Sequence, residues 1–255
     1  MPDTWSPSTY LQFDDERTRA ARDLLAHVPL TSARTVVDVG CGPGNSTALL
    51  TARFPEADVL GIDSSPAMLA EARSAVSRAR FAEADANVWL PEQDTDLVFA
   101  NATYQWIAEH LALFPRVLAA LNPGAVLAVQ MPDNLGEPTH QLMQQVASGG
   151  PWAERLASAA RAPLAPVRSY YDVLQPVASR LDIWHAIYNH VLSGPDAIVD
   201  WVRGTGLRPF IDPLSPDERT EYLRRYRAAV ADAYPPANDG KVLLRFPRLF
   251  IVAVR

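Results

Sequence analysis

The sequence lacks most features that mark secreted, membrane-embedded or nucleic-acid-binding proteins. It has a single cysteine, Cys41, which excludes an internal disulfide. No segment approaches the run of about 20 apolar residues that a membrane-spanning helix needs. No basic region followed by an apolar stretch opens the chain, so we expect no secretory signal and a cytoplasmic location. The formal net charge of −6 argues against a nucleic-acid partner, because phosphate neutralisation dominates such binding.

The remaining composition is that of a globular protein with a sizeable core. Of 255 residues, 48% are hydrophobic and 20% are charged, which fits one α/β domain that carries insertions. The negative charge does not exclude a small anionic substrate, because a pocket needs only a few well-placed arginines.

Strand and helix signals alternate over the first half of the chain. The pattern predicts helices over 14–28, 45–53, 66–75 and 109–121, and strands over 35–39, 58–62, 80–84, 97–100 and 125–130. This alternation is typical of a parallel sheet with helices on both faces. After Gln130 it stops, and we predict helical insertions over 132–180 and 192–242. A strand over 181–191 separates them, and two pieces of terminal strand follow over 243–244 and 249–254.

A glycine-rich turn follows the first predicted strand and opens a helix. Residues 38–45 read DVGCGPGN. A dinucleotide fingerprint would place its third glycine at position 45, where the chain has Asn45. Gly44 instead completes a Gly-x-Gly-x-Gly pattern behind Asp38, which is similar to class I methyltransferases. Their cofactor, S-adenosylmethionine, has no phosphate to cradle. For Cys41, inside this loop, we favour a packing residue over a nucleophile.

Polar residues end the next three predicted strands. Asp63 is suited to accept both ribose hydroxyls, and Asp85 to accept from an adenine amino group. Each acid alone is also compatible with a helix N-cap or a surface position. Asn101 closes the fourth strand, and Gln105 and Trp106 follow. Methyltransferases place this segment beside the reactive methyl, although Trp106 is equally compatible with a core position.

Over nearly its whole length the chain resembles the trans-aconitate 2-methyltransferases, a family within the class I methyltransferases. The resemblance is carried by residues 5–13, 40–50 and 61–73, and by QMPDN at 130–134, EPTH at 137–140, YYD at 170–172, TGLRP at 205–209 and FPRLFIVA at 246–253. The segments after Gln130 are the more specific ones. The chain departs from the family pattern in residues 149–165 and 232–240, which we interpret as variable loops.

This resemblance implies a Rossmann-like α/β sheet, mostly parallel with an antiparallel last strand, plus helical cap insertions. One domain, 1–255, would have a cofactor-binding half at 1–131, and the insertions would form an acceptor-site cap. The implied cofactor is S-adenosylmethionine, released as S-adenosylhomocysteine, with no metal. The implied cofactor-binding residues are Tyr10, Phe13, Asp38, Gly40, Gly42, Gly44, Asn45, Asp63, Ser64, Met68, Asp85, Ala86, Asn87, Asn101, Ala102 and Trp106.

The implied reaction is methyl transfer to one carboxylate of trans-aconitate or a related small polycarboxylic acid, giving a monomethyl ester. A carboxylate is ionised at neutral pH and needs no general base, so we assign no catalytic residue and expect Gln105 and Trp106 to act by positioning. We expect no nucleic-acid or membrane partner. The candidate substrate-binding residues are Trp106, His140, Tyr170, Tyr171, Arg208 and Arg248.

Three other functions stay open at this point. A methyltransferase for a phenol, an amine or a lipid would share the cofactor half, and His140, His185 or His190 could serve it as a base. A nicotinamide-dependent oxidoreductase is disfavoured by Asn45. A non-catalytic binding module is disfavoured by the joint presence of the glycines, Asp63 and Asp85.

Overall fold

The computed structural model describes residues 14–255, with side chains from Thr18 onwards. The strands are β1 (Thr35–Val39), β2 (Asp58–Asp63), β3 (Arg80–Glu83), β4 (Leu97–Asn101), β5 (Val126–Pro132), β6 (Arg180–Leu192) and β7 (Val242–Val254). The helices are α1 (Asp14–Ala26), α2 (Asn45–Arg53), α3 (Pro66–Ala75), α4 (His110–Ala120), α5 (Pro138–Ser148), α6 (Ala153–Leu156), α7 (Val167–Leu174), α8 (Pro195–Arg203), α9 (Arg208–Ile211) and α10 (Pro216–Ala233). A 3₁₀ turn spans Tyr104–Trp106.

The strands form one sheet in the order β3-β2-β1-β4-β5-β7-β6. The first five strands are parallel, and Val36 of β1 pairs with Val59 on one side and Leu97 on the other. β7 runs antiparallel to β5, because the backbone of Ala125 bonds to Arg255 and that of Asp133 to Pro247. These findings confirm the predicted mostly parallel sheet with an antiparallel last strand.

The central strands are buried on both faces, which explains why they appear in the sequence as continuous apolar runs. Every residue from Leu97 to Ala100 is fully buried, as are Val126 to Val129. Phe114, Val117 and Leu118 of α4 belong to the same core, at the three- and four-residue spacing of one helix face. The strand order reverses between β1 and β4, and in open α/β sheets ligands bind outside the carboxyl ends of the strands at such a point.

The chain divides into two compact units. Within the described residues, the first contains 14–132, Leu164–Ala186 and Leu249–Arg255, and the second contains Asp133–Pro163 and Ile187–Arg248. β6 and β7 each run from one unit into the other. The segment Leu164–Ala186, which includes α7, belongs to the first unit. The assignment of the insertions to an acceptor-site cap stays a prediction.

In the second unit, tyrosines of α10 hold α5 in place. The Tyr222 hydroxyl donates to the Met143 carbonyl at 2.7 Å, and the Tyr226 hydroxyl donates to the Thr139 carbonyl at 3.1 Å. Both tyrosines are fully buried, and these bonds give their hydroxyls the partners that buried polar groups need. Between residues 14 and 255, none of the helices combines the length and the apolar character needed to cross a membrane.

Candidate active site

A cavity of about 270 Å³ opens in the first unit at the carboxyl ends of β1, β2, β3 and β4. Its walls come from the glycine-rich turn, the turns after β2 and β3, and the turn after β4. The lining residues are Gly40, Gly42, Pro43, Ile62, Asp63, Ser64, Ser65, Met68, Ala84, Asp85, Ala86, Asn87, Asn101, Ala102, Thr103, Trp106 and Ile107.

Two glycines give the first turn its shape. Gly40 has a φ of 68°, and a Cβ added to it would lie 2.2 Å from the Thr103 Oγ1 atom. Any side chain at position 40 would therefore push apart the turns after β1 and β4. Gly42 has a φ of 54°, and an added Cβ there would meet no neighbouring atom. Because Gly42 lines the cavity, a side chain at that position would take space from a ligand.

Asp63, at the end of β2, ties the glycine-rich turn to the start of α3. The Gly42 amide donates to Asp63 Oδ2 at 3.0 Å, and the Ser65 amide donates to Oδ1 at 2.9 Å. These bonds fix the orientation of a carboxylate that faces the cavity and can accept further hydrogen bonds.

Asp38 lies beneath the turn and is fully buried. Its Oδ2 accepts from the Thr47 hydroxyl at 2.6 Å and the Ser46 hydroxyl at 2.7 Å. Burial raises the pKa of Asp38 to about 6, against the effect of these two hydrogen bonds. Asp38 therefore supports the start of α2 from below and does not line the cavity.

The turn after β3 brings Asp85 to the rim of the cavity. The Asn87 side chain donates to Asp85 Oδ1 at 2.6 Å and the Asn87 amide at 2.9 Å. Both bonds favour the ionised carboxylate, so they lower the pKa of Asp85 below its ordinary value. The carboxylate is solvent-exposed and remains an acceptor at neutral pH.

The turn after β4 combines an unfavourable backbone conformation with several hydrogen bonds. Ala102 has a φ of 58°, an unfavourable value for a residue with a side chain. Its amide donates to the Gln130 carbonyl at 2.9 Å, and its carbonyl accepts from Gln105 Nε2 at 2.6 Å. The Thr103 hydroxyl bonds to the Val39 carbonyl at 3.0 Å, which joins this turn to the glycine-rich turn.

The side chains of Asn101 and Trp106 also belong to this wall. Asn101 Oδ1 is buried and has no hydrogen-bond partner among residues 14–255. Trp106 lines the cavity with 44% of its surface exposed. Within the described lining, Asp63 and Asp85 are the only titratable side chains. The arrangement can therefore bind a polar, hydroxyl-bearing ligand, but none of its described residues is a histidine or lysine that could act as a base.

The predicted cofactor-binding residues mostly converge on this cavity. Eleven of them line it: Gly40, Gly42, Asp63, Ser64, Met68, Asp85, Ala86, Asn87, Asn101, Ala102 and Trp106. Asn45 lines a smaller adjoining space of about 30 Å³ that also reaches Asn101. Asp38 and Gly44 support the turn without lining the cavity. Tyr10 and Phe13 lie outside the described residues.

Sequence reasoning missed several residues of the wall. The missed lining residues are Pro43, Ile62, Ser65, Ala84, Thr103 and Ile107. Each is within two positions of a predicted residue. The sequence therefore identified the segments that line the cavity, but not every lining residue within them. Thr103 contributes most to the geometry, and its position two residues after β4 was the available signal.

The predicted substrate-binding residues are divided between the units. In the second unit, His140 is 9% exposed and Arg248 is 3% exposed, with its guanidinium 4.5 Å from the Phe246 ring. Arg208 pairs with Asp212 at 3.0 Å. Burial, with the Arg161 charge as a smaller cause, lowers the pKa of His140 to about 3 and keeps its imidazole neutral.

In the first unit, Tyr170 and Tyr171 have opposite environments. Tyr170 is fully buried, and its hydroxyl lies 2.8 Å from His110 Nε2. Tyr171 is 47% exposed. Tyr170 and Leu174 share the buried face of α7, so this arrangement favours a packing role for Tyr170. A contact of either tyrosine with substrate stays a prediction.

Several solved structures share this fold. The YcgJ protein from Bacillus subtilis is 12% identical, with a TM-score of 0.61 over 93% of this chain and 98% of its own. A phosphoethanolamine N-methyltransferase 2 from Haemonchus contortus, solved with S-adenosylhomocysteine, is 17% identical, with a TM-score of 0.55 over 93% of this chain and 52% of its own. These likenesses confirm the predicted Rossmann-like fold.

Sequence comparison is more specific. Residues 36–124 match the model of a methyltransferase domain. A trans-aconitate 2-methyltransferase from Rhodopseudomonas palustris BisB18 is 56% identical over 98% of this chain and 99% of its own. One from Azoarcus sp. BH72 is 54% identical over the full length of both chains. On this evidence, the chain belongs to the trans-aconitate 2-methyltransferase family.

Proposed function

We propose that this protein transfers a methyl group from S-adenosylmethionine to a carboxylate of trans-aconitate, giving a monomethyl ester and S-adenosylhomocysteine. The observation that carries the proposal is the cavity at the strand ends, in which Asp63 faces the ligand space and no histidine or lysine occurs among the described lining residues. The identity of the acceptor rests on the named relatives, which match this chain over nearly its full length.

The residues of the cavity fit S-adenosylmethionine. Asp63 would accept both ribose hydroxyls, and Asp85 would accept from the adenine amino group. Asn101 Oδ1, buried without a partner among the described residues, would accept from the ammonium of the methionine part. Gly42 keeps the ligand space free of a side chain. When bound, this cofactor supplies an electron-poor methyl group to an attacking oxygen.

The chemistry of a carboxylate acceptor agrees with the absence of histidine and lysine from the described lining of the cavity. Carboxylates have pKa values near 4 and are ionised at neutral pH, so no proton has to be removed before attack. The contribution of the protein is then to orient the acceptor oxygen and to exclude water. We assign that positioning to Trp106, which lines the cavity, and to Gln105, which holds the Ala102 carbonyl.

The remaining carboxylates of the acceptor need cationic or hydrogen-bonding partners. Arg208 and Arg248 remain our candidates for ion pairs, with His140 and Tyr171 as candidate hydrogen-bonding residues. Tyr10 and Phe13 remain candidates for covering the cofactor. These assignments follow from the family pattern and from the chemical types of the side chains.

A phenol acceptor is less well supported. It would need a general base; of the three candidates, His140 and His190 are at least nine-tenths buried, and His185 is exposed but is not among the described lining residues of the cavity. With a pKa near 3, His140 is a weak base at neutral pH. We therefore expect the methylation rate to be nearly constant between about pH 6 and 9, and to fall only as the acceptor is protonated below about pH 5.

Thermal denaturation with added ligands tests the cofactor assignment. S-adenosylhomocysteine should raise the melting temperature of the protein, because a ligand stabilises the state that it binds, whereas NAD should leave it unchanged. The pH profile of trans-aconitate methylation then tests the acceptor class. Stabilisation by NAD alone would contradict the cofactor assignment, and a rate that falls below pH 8 would indicate a base-dependent acceptor.

A further inference from the structure

The strands β1 and β4 are neighbours in the sheet, but they diverge at the end that carries the cavity. The last pair in their parallel register is Asp38 with Phe99. On their other sides the pairing continues farther, since β1 pairs with β2 as far as Val39 and β4 pairs with β5 as far as Asn101. A gap therefore opens between two halves of the sheet where the strand order reverses, and the cavity lies at this end of the strands.

The Thr103 side chain bridges this gap. Its hydroxyl oxygen lies 3.0 Å from the Val39 carbonyl oxygen and 3.3 Å from that of Gly40, both of which follow the last β1–β4 pair. Because a hydroxyl has a single proton, it donates to one of these carbonyls at a time. A Cβ added to Gly40 would lie 2.2, 2.3 and 2.8 Å from three atoms of the Thr103 side chain, so the two residues are closely packed. Thr103 thus joins the turn after β4 to the glycine-rich turn by a hydrogen bond and by packing.

The backbone of Thr103 begins the 3₁₀ turn that carries Trp106. The Thr103 carbonyl accepts from the Trp106 amide at 3.1 Å. Between these two residues, Tyr104 is fully buried, and its ring meets the edge of the Phe114 ring at a centroid distance of 4.9 Å. The turn is therefore fixed to the core through Tyr104 and to the glycine-rich turn through Thr103. A shift of Thr103 would move Trp106 relative to the glycine-rich turn.

We propose that Thr103 is a positioning residue for methyl transfer: its hydroxyl holds the turn after β4 against the glycine-rich turn and so fixes the width of the cavity between Gly40 and Trp106. This inference rests on the proposed function, in which Trp106 helps to orient the acceptor oxygen. Thr103 acts through the placement of Trp106. The rate of transfer depends steeply on such placement, because a displacement of about 1 Å can cost about 100-fold.

The test compares Thr103→Val with Thr103→Ser. Valine has the shape of threonine but cannot donate a hydrogen bond, whereas serine retains the hydroxyl and lacks one methyl group. Single-turnover formation of the trans-aconitate ester is measured with the protein saturated with both S-adenosylmethionine and acceptor. For Thr103→Val we expect the rate constant to fall by about 10- to 100-fold. For Thr103→Ser it should stay within about threefold of that of the unaltered protein, because the hydrogen bond is kept.

Cofactor affinity should respond less than the rate. Asp63 and Asp85 follow β2 and β3, on the far side of the gap from Thr103. The affinity for S-adenosylhomocysteine, measured by calorimetry, should therefore fall by less than about tenfold in Thr103→Val, the effect of one neutral hydrogen bond. The matched control is Thr51→Val in α2. Thr51 is 8% exposed and its hydroxyl donates to the Ala48 carbonyl at 3.0 Å, so the same group and the same kind of bond are removed away from the cavity. The control should change neither value.

The decisive readout is the ratio of ethyl transfer to methyl transfer. S-adenosylethionine offers an ethyl group in place of the methyl group, and the longer group reaches farther across the cavity. A widened cavity should impair methyl transfer more than ethyl transfer, so the ratio should rise by about fivefold or more in Thr103→Val and stay within about twofold in Thr103→Ser. A merely structural role would lower both rates equally. An unchanged ratio in Thr103→Val would therefore overturn the proposal, as would equal losses of rate in the valine and serine variants.

A third variant covers the case in which Thr103→Val does not fold. Thr103→Cys is close to Thr103→Ser in size, but a thiol is a weak hydrogen-bond donor. Its rate constant should be about fivefold or more below that of the serine variant, and equal rate constants would overturn the proposal. If the unaltered protein forms no ester from trans-aconitate, the proposed function fails, and the role of Thr103 fails with it. Ester formation by the unaltered protein, with an unchanged ratio in the variants, would remove only the role of Thr103.

Discussion

The cavity of the first unit and the cluster formed by Asn134, His140 and Arg161 in the second unit are built from different parts of the chain. The cavity is formed by turns that directly follow β1, β2, β3 and β4, and backbone groups determine much of its shape. The cluster is formed by side chains from the turn before α5, from α5 itself and from the loop after α6. The first arrangement recurs wherever a parallel sheet meets a ligand, whereas the second has no fixed position in such a fold.

This difference shows which parts of a binding site can be predicted from a sequence. A turn at a strand end must satisfy strict backbone conditions, so it leaves a glycine pattern and a polar residue at predictable places. A side-chain cluster needs only that its members meet in space. We therefore expect substitutions of cavity residues to weaken ligand binding more than substitutions of residues that were predicted to bind a ligand but are packed in the core.

The largest expected effect is that of Asp63→Ala on the cavity. The change removes the acceptor of the Gly42 and Ser65 amides as well as the proposed partner of the ribose. Hydrogen bonds to a charged group contribute about 1.5–3 kcal/mol each, so S-adenosylhomocysteine affinity should fall by about 100-fold or more. Isothermal titration calorimetry measures this. Asp58→Ala, at the exposed start of β2, is the control, and an affinity within about threefold of the unaltered protein would contradict the role of Asp63.

Gly40→Ala should have the next largest effect. The added Cβ would meet Thr103 at 2.2 Å and force apart the two turns that enclose the ligand, so both the melting temperature and S-adenosylhomocysteine affinity should fall, the affinity by about tenfold or more. Gly124→Ala is a matched control, because Gly124 has a φ of 90° but an added Cβ there meets nothing. If both variants lose affinity equally, backbone conformation alone and not the contact with Thr103 would be responsible.

Asp38→Asn should reveal the stability that the protein loses when the buried Asp38 carboxyl ionises. Burial raises the pKa of Asp38 from 3.8 to about 6, so the native state holds this proton more tightly than the unfolded chain does. The contribution of Asp38 to stability is therefore complete below pH 3.8 and is lost as pH rises to 6. At about 1.4 kcal/mol per pKa unit, the loss is about 3 kcal/mol.

Asparagine at position 38 mimics the protonated carboxyl. The free energy of unfolding of Asp38→Asn minus that of the unaltered protein should thus increase by about 2.5 kcal/mol between pH 4 and pH 7. Chemical denaturation at both pH values measures this difference and cancels the other titrating groups. A difference that is the same at both pH values would mean that Asp38 titrates normally in the native state.

The smallest effect on catalysis is expected for Tyr170→Phe. Loss of the hydroxyl leaves His110 without this contact, which should cost about 1–3 kcal/mol of stability and lower the melting temperature by several degrees. Acceptor KM should not change. A rise in acceptor KM without loss of stability would instead support a role for Tyr170 in binding the acceptor. Val167→Ala, at an exposed position of the same helix, controls for general effects.

The sheet, its helices and the cofactor segment could be predicted from the sequence because their signals are local. The bounds of α2 and α3 agree with the prediction, and the acids at the ends of β2 and β3 both reach the cavity. Thr103 was missed because its importance lies in a contact with Gly40, 63 positions away, that only the fold creates. The continuous β7 was predicted as two pieces because Pro247 interrupts the strand pattern.

The second unit was less predictable because its contacts are long-range. Arg161 stands in a proline- and alanine-rich segment without periodicity, and its partner Asn134 is 27 positions earlier. Tyr170 was chosen for its chemical type, whereas the four-residue spacing of Tyr170 and Leu174 would have favoured a buried face. Side-chain type alone does not distinguish a binding residue from a packed one.

The most direct test of the central claim is an assay with S-adenosylmethionine labelled in its methyl group. Purified protein would be incubated with trans-aconitate, cis-aconitate, citrate, isocitrate or a catechol, and base-labile label, which marks a methyl ester, would be measured. We predict strong base-labile labelling of trans-aconitate and none of the catechol. Label on the catechol alone would be compatible with the assigned fold and cofactor site. It would contradict the assignment of a carboxylate as the acceptor and the claim that the site needs no base.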